Sequence, residues 1–491
     1  MAIEIQYLGI DFGSCSTAFI GISVDENGLH TFHQLCDPKT DAPCFDTLLY
    51  RDEDGTVVIG AEARARRGQG RLYHSPKETV LKSENEGEGR EVVRLYLEAI
   101  FNALRAKYSF RKLKAVCFGH PNYHQAQTTA DYNKTVTEAL EAIFADACDG
   151  RPVITPATEP LLAAISYVQT DTAFGGDEGY PFLVVDCGGH TIDFSFAKVT
   201  ERNGNEVTLA APSTPQSFSG DECPAVGMYI TKVICRKIGK VENLPTFTYA
   251  DTVEAAKRHF FSEVATQDYR KNTALSVRIA PNEPIFGGTY TLKYKREDGD
   301  DPISTVSLID DFKIHLFFEQ AGKFAKDYLD LWCKTVESIP SRILFVGGAS
   351  RMAPLCTEIV KNIREGLLQL ILDCAKTESE RAEADRRVRG LSYSTIDGMK
   401  RTEVAPGRIA LTPENAVAYG AALVAWKPLL YDANAEITVT HDRELAGLNH
   451  ARGEALSYKR RLIGIRQRLI ECRDMTDVPA LLDELRALWD I

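Results

Sequence analysis

The sequence predicts an α/β fold built from two similar halves, and three glycine-bearing segments carry that expectation. Residues 7–22 (YLGIDFGSCSTAFIGI) run as an apolar strand, an Asp-Phe-Gly-Ser turn and a second apolar strand. Residues 182–199 (FLVVDCGGHTIDFSFAKV) repeat the pattern, with Asp-Cys-Gly-Gly-His-Thr in the turn and Ile192, Phe194 and Phe196 alternating on the outgoing strand. Both read as β-hairpins with glycine at the turn. Asp11 and Asp186 are about one domain length apart, so a duplicated architecture is expected. A third segment, RILFVGGASRMAPL (342–355), takes a buried-type strand into Gly347-Gly348 and then into a helix.

The remaining elements follow in order. Residues 37–90 mix charge and glycine and read as a small exposed subdomain, bounded at about 37–115. Helical spacing marks 91–110 and 124–148, and a further helix is expected over 251–268. Residues 286–310 read as a β-hairpin around the acidic turn Glu297-Asp298-Gly299-Asp300-Asp301. The stretch 373–408, rich in Arg, Glu and Ser, reads as an exposed insertion. Residues 412–426 (TPENAVAYGAALVAW) form a capped helix, with Thr412 as N-cap, Pro413 at the first position and Ala416, Ala418, Ala421 and Ala422 as a small-residue face. The resulting plan is lobe I over 1–175, lobe II over 176–411 with an exposed subdomain at about 228–311, a helix returning to lobe I at 412–426, and a helical tail over 427–491.

Composition bounds the function classes. At 491 residues the chain is long enough for about three to four domains. Its 57 Lys+Arg against 69 Asp+Glu leave a net charge of −12, which argues against sequence-independent nucleic-acid binding. No apolar run of transmembrane length occurs, and the start, MAIEIQYLGIDFG, lacks the basic region of a secretory signal. The twelve cysteines contain no CxxC pair, so reduced thiols in a cytoplasmic protein are expected.

The glycine turns carry the chemistry. Glycine lets backbone N–H groups approach phosphate oxygens without a Cβ in the way. Two such hairpins facing each other would clamp both sides of a polyphosphate. Asp11 and Asp186 open the turns and Asp193 follows; carboxylates beside phosphates call for a cation, so these are natural Mg²⁺ partners, largely through water.

Together these segments resemble the actin-like ATPase superfamily, and within it the nucleotide-binding domain of the DnaK-type heat-shock chaperones. The first phosphate motif resembles Ile10-Asp11-Phe12-Gly13-Ser14, and the first connecting motif the run from Val153 through Thr158-Glu159-Pro160 to Ala163-Ala164. The second phosphate motif resembles Val185-Asp186-Cys187-Gly188-Gly189 with Thr191 and Asp193, and the adenosine motif Val346-Gly347-Gly348-Ala349-Ser350-Arg351-Met352. The second connecting motif resembles Glu414 through Ala422, and a nucleoside-enclosing Glu-x-x-Lys-Arg helix resembles Glu254, Lys257 and Arg258. These lie at i, i+3 and i+4, one helix face, whose bland alternative is a solvated charged surface.

The resemblance implies a two-lobed actin-like ATPase fold of duplicated ribonuclease-H-like sheets, with ATP or ADP and Mg²⁺ as ligands. It implies that Asp11 and Asp186 hold the magnesium hydration shell and that Glu159 and Asp193 orient or deprotonate the attacking water. Thr191 would contact the γ-phosphate, and Gly13, Ser14, Cys15, Gly188 and Gly189 would surround the phosphates. Gly347, Gly348, Ser350 and Arg351 would meet the nucleoside.

Two departures stand out. Arg64, in Gly60-Ala61-Glu62-Ala63-Arg64, takes the place of the family's catalytic lysine, and Lys77 and Lys82 are the nearby lysines able to substitute. His190 stands where the family has a third glycine; it either points away or adds a donor to the γ-phosphate. Slow hydrolysis is therefore expected.

Residues 427–491 are too few for the peptide-binding sandwich and lid of such chaperones. They offer one strand (436–440) and helices over 455–473 and 479–491. In the first helix Leu462, Ile465, Leu469 and Cys472 share a stripe beside a basic face of Lys459, Arg460, Arg461, Arg466 and Arg468. That helix packs back on its own domain, docks an acidic or apolar protein partner, or meets a membrane or nucleic acid. The expected function is an ATP-driven, chaperone-like switch that signals to a protein partner through the tail or the 373–408 segment. A nucleotide-binding pseudo-ATPase and an actin-like filament or scaffold protein are the alternatives; a small-molecule kinase is disfavoured by the Glu-x-x-Lys-Arg helix.

Overall fold

A computed structural model of the chain describes residues 2–66, 70–82, 86–121, 126–170, 181–189, 191–203, 206–210, 216–218, 274–278, 291–294, 305–307, 314–333, 338–375, 377–395 and 409–428. The fold is mixed α/β. The expected helix at 251–268, with Glu254, Lys257 and Arg258, lies outside these residues, as do His190 and the tail from 429.

Strand β1 (Ile3–Glu4) precedes the first predicted hairpin, which forms as β2 (Tyr7–Phe12) and β3 (Ser16–Val24), antiparallel with Asp11 opposite Ala18. Next come β4 (His30–Gln34) on the far side of β3, and β5 (Phe45–Asp46) against its first residues. A small sheet of β6 (Leu48–Arg51), β7 (Val57–Ile59) and β8 (Arg71–His74) follows, with helix α1 (Gly60–Ala65) packed on it and α2 (Pro76–Lys82) leaving it. Helix α3 (Glu86–Leu104) leads to β9 (Tyr108–Ser109), which pairs with β1, and then to β10 (Ala115–His120). Helix α4 (Ala126–Ala145), β11 (Val153–Thr158) and α5 (Glu159–Thr170) complete this half. β10 lies parallel to β2, and β11 parallel to β10. The sheet order is therefore β11-β10-β2-β3-β4, with β5 off the path.

The second half repeats this order. The second predicted hairpin is β12 (Pro181–Cys187) with β13 (Ile192–Asn203), antiparallel with Asp186 opposite Asp193. β14 (Glu206–Ala210) pairs with β13, and β15 (Gln216–Phe218) meets the first residues of β13, as β5 meets those of β3. A separate sheet holds β16 (Ala274–Arg278), β17 (Thr291–Tyr294) and β18 (Thr305–Ser307). Then come α6 (Ile314–Trp332), β19 (Arg342–Val346), a 3-10 turn (Gly348–Arg351) and α7 (Ala353–Cys374). Last are α8 (Glu378–Gly390), β20 (Ser392–Thr395) and α9 (Ala416–Trp426). β19 and β20 extend β12 in parallel, giving β14-β13-β12-β19-β20.

Two helices rich in small residues lie between the sheets. Residues of α5 and α9 share one apolar cluster with Ile20 and Cys117 of the first sheet and with Phe182, Val184, Leu344 and Val346 of the second. The approach is close enough to require glycine: a Cβ on Gly9 would overlap the Ala418 carbonyl, and one on Gly420 the Leu162 carbonyl. The outer faces are covered by α3 and α4 on the first sheet, through Tyr96, Phe101 and Phe144. Helices α6 and α7 cover the second, through Tyr328, Leu355 and Ile359.

Several expectations change. The 373–408 segment is not an exposed insertion where it is described. α8 buries Ala384 and Val388, Leu391 follows them into the second core, and β20 is a strand of the second sheet. Likewise α3 buries Val92, Tyr96, Leu97 and Phe101 in the first core, so only the β6–β8 sheet with α1 and α2 forms a side layer within 37–115. The hairpin expected over 286–310 does not pair with itself: β16 sits between β17 and β18. The last helix begins at Ala416, because Pro413 to Asn415 form a turn in which Asn415 Oδ1 accepts from the Thr412 N–H at 2.7 Å. Among the described residues, no helix is long and apolar enough to cross a membrane.

Candidate functional site

The two hairpin turns face each other across one cleft. A Cβ on Gly189, in the second turn, would overlap the Sγ of Cys15 in the first. The cleft holds about 1100 Å³ of non-atom space, its opening to solvent included. Its wall includes Asp11, Gly13, Ser14, Cys15, Glu159, Asp186, Gly188, Gly189, Thr191, Gly347, Gly348 and Arg351, all named from sequence.

Each turn is braced locally. Thr47 Oγ1 donates to the Gly13 carbonyl at 2.8 Å, its N–H donates to the Cys15 carbonyl at 3.0 Å, and Tyr96 Oη donates to Thr17 Oγ1 beneath. In the second turn the Gly188 N–H donates to the Thr191 carbonyl at 2.9 Å, so that amide closes the hairpin and does not face a ligand. Thr191 Oγ1 donates to Asp193 Oδ2 at 2.7 Å. Asp193 is buried behind Thr191 and does not line the cleft. Ser350 is also structural, since its hydroxyl and N–H both turn back to the Gly347 carbonyl. Gly347 has φ +78°, and a Cβ there would overlap Asp186 Oδ1. Only glycine carries β19 past that carboxylate comfortably.

Among the described residues, the ammonium in the cleft is that of Lys77. Lys77 Nζ lies 2.6 Å from Glu159 Oε1, with both side chains almost wholly buried, and 5.5 Å from the Tyr132 ring centroid. Arg64 belongs to α1 (Gly60–Ala65). Lys77 reaches inward because Ser75, at φ +58°, turns the chain sharply from β8 into α2. A left-handed conformation at serine is uncommon and slightly strained.

The electrostatics are dominated by carboxylates. Burial, then the charge of Glu159, pushes Asp11 up to about 7, with Lys77 pulling the other way. Burial, followed by Glu159, Asp193 and Asp11, holds Asp186 well above the usual carboxylate range. Burial also keeps the His120 imidazole below its ordinary value, beside the same Lys77 and Glu159. Four carboxylates thus surround one described ammonium. Among the described residues, no three His, Cys, Asp or Glu side chains gather closely enough to ligate a metal directly.

No protein-family model and no curated protein matches the chain.

The wall also holds Ser16 and Pro413, to which sequence reasoning assigned no site role, and Ala349, Met352, Glu414 and Val417, which fall within the adenosine and second connecting motifs but were given no role of their own. Glu414 is the most consequential. Its carboxylate meets Arg351 in a two-point ion pair, Nη1 to Oε1 at 2.6 Å and Nη2 to Oε2 at 3.0 Å. The adjacency of Arg351 to a glycine turn and of Glu414 to a helix start was visible in sequence. Their meeting was not.

Proposed function

We propose that this chain is an ATP-binding, slowly hydrolysing conformational switch of the DnaK and actin-like superfamily that signals to a protein partner. One observation carries the reading: two turns of the same construction, from two sheets of the same strand order, face each other over a cluster of carboxylates. That repetition supports the two-lobed actin-like fold, and opposed glycine turns suit a polyphosphate.

The donor set fits a hydrated Mg²⁺ held by Asp11 and Asp186 through water. Burial, and then the charge of Glu159, disfavours the ionised form of Asp11 and Asp186, and a divalent cation beside them would favour it. When bound, the ion would offset charge on the phosphate oxygens. The chain's own residues do the rest. Lys77, fixed by Glu159, presents an ammonium to the phosphates. Gly13 to Cys15 and Gly189 let the backbone approach, and Arg351 with Met352 and Val417 offers a polar and apolar wall to a nucleoside. Glu159 accepts a hydrogen bond from water, and Thr191, oriented by Asp193, holds its hydroxyl toward the cleft. Such positioning supplies most of the rate in phosphoryl transfer.

A specific observation favours slow turnover, or the pseudo-ATPase reading. One oxygen of Glu159 is already engaged by the Lys77 ammonium, which leaves a single carboxylate oxygen to orient water. Fluorescent ATP and ADP titrations with and without Mg²⁺, together with phosphate release, test both readings. Mg²⁺-dependent binding is expected, with phosphate release lowered about 100-fold in Asp193→Asn and also lowered in Lys77→Met. Absence of Mg²⁺-dependent binding overturns the proposal. Binding with equal residual turnover in all three proteins favours the pseudo-ATPase.

A further inference from the structure

The Arg351–Glu414 pair joins elements anchored to different sheets. Arg351 ends the 3-10 turn that hangs from β19 of the second sheet, and Ser350 ties that turn to Gly347. Glu414 sits in the turn leading into α9, which packs against β2 of the first sheet. Its neighbour Asn415 fastens the turn further: Nδ2 donates to Gln34 Oε1 of β4 at 3.1 Å and to the Ala410 carbonyl at 3.0 Å. Both ends of the ion pair are therefore held by hydrogen-bonded turns. The contact between them is two-point, which fixes the guanidinium plane as well as its position. The two side chains line the cleft and are about a third exposed, at 34% and 27%, so the pair lies where the cleft meets solvent.

Resting on the nucleotide reading above, we propose that Glu414 is a positioning residue. It holds Arg351 as a strap between the two sheets, and parting of that strap governs how fast a bound nucleoside diphosphate leaves. The chemistry follows from the geometry. On that reading a bound nucleoside contacts Arg351, which lines the cleft, so its departure requires that contact to part. A carboxylate gripping both terminal nitrogens slows that parting. Replacing it by an amide keeps the shape but removes the charge and one of the two acceptor oxygens.

The test measures release of a fluorescent ADP analogue with Mg²⁺ from wild type, Glu414→Gln, and the charge-swapped double variant Arg351→Glu with Glu414→Arg. Removing a partly exposed ion pair should speed release roughly fivefold, with the association rate changed less than about twofold. The swap should slow release again relative to Glu414→Gln. Amide hydrogen exchange of residues 347–352 and 412–416 in the ligand-free protein gives a readout independent of nucleotide. Glu414→Gln should raise exchange there several-fold and leave β2 and β12 unchanged. Release and exchange at wild-type rates in Glu414→Gln overturn the proposal. If wild type binds no nucleotide, the proposed function fails and the release role with it, and the exchange result alone decides whether the strap exists.

Discussion

Asp11 holds a proton far more tightly in the folded chain than its type would, and the consequences of that can be worked out with sign. Its ordinary value is 3.8, and burial with the Glu159 charge raises it to about 7. Below pH about 4 the group is protonated folded or unfolded and contributes nothing to pH dependence. Between about 4 and 7 the unfolded chain gives up the proton first, so stability falls as pH rises, and the full penalty is present above 7. A divalent cation needs the carboxylate, so it must displace the proton below 7 and finds it ready above. The rise in melting temperature on adding Mg²⁺ should therefore be larger at pH 8 than at pH 6, and Asp11→Asn should flatten the difference. Equal rises at both pH values in wild type would contradict this. Asp11, Asp186 and the glycines were legible because they sit in short local patterns. Lys77 was only one of two neighbouring lysines in sequence, because what aims it is a left-handed Ser75 and an ion-pair partner 82 residues away.

Among the elements, the two hairpins and helices α3, α4, α7 and α9 were legible in sequence, whereas α5 and α6 were not singled out. α8 was misread. Its sequence, ESERAEADRRVRG, is nearly all charge, yet Ala384, Val388 and Leu391 fall at i, i+4 and i+7 and make a narrow buried stripe. Many of its charges are paired within the helix. Thr377 caps its start with Glu380 in a capping box, and Glu383 pairs with both Arg386 and Arg387. A composition average over 373–408 hides a three-residue stripe. Leu391→Ala should cost about 2–4 kcal/mol in urea unfolding, whereas a true surface insertion would tolerate the change within about 0.5 kcal/mol. The three-stranded β16–β18 sheet was misread for a different reason. Its central strand comes before the acidic turn in sequence, and no local pattern reveals a pairing partner that lies outside the hairpin.

At the scale of the whole molecule, the strand order shared by the two sheets was only foreshadowed by the repeated turns. Pairings such as β10 with β2 join segments about a hundred residues apart, and sequence periodicity carries no information about them. What unites the halves is the cluster contributed by α5, α9 and both sheets. Because that cluster cannot be divided without exposing apolar surface on each side, the halves should unfold together. Far-UV circular dichroism and tryptophan fluorescence should give coincident urea midpoints, with Trp332 packed on the second sheet's core and Trp426 on the shared cluster among the reporters. Two separated transitions would mean that the sheets are independent bodies.

The glycine contacts of α9 have a thermodynamic consequence for the angle between those bodies. Where Gly9 meets Ala418 and Gly420 meets Leu162, main chain rests on main chain, and the helix presents alanine on either side. Alanine and glycine have no rotamers to lose. At these two points a change of angle re-sorts no side chains, so they add little conformational-entropy penalty of their own. The resistance to turning then falls to the larger side chains of the same cluster and, on the proposed reading, to the charged pair at the rim.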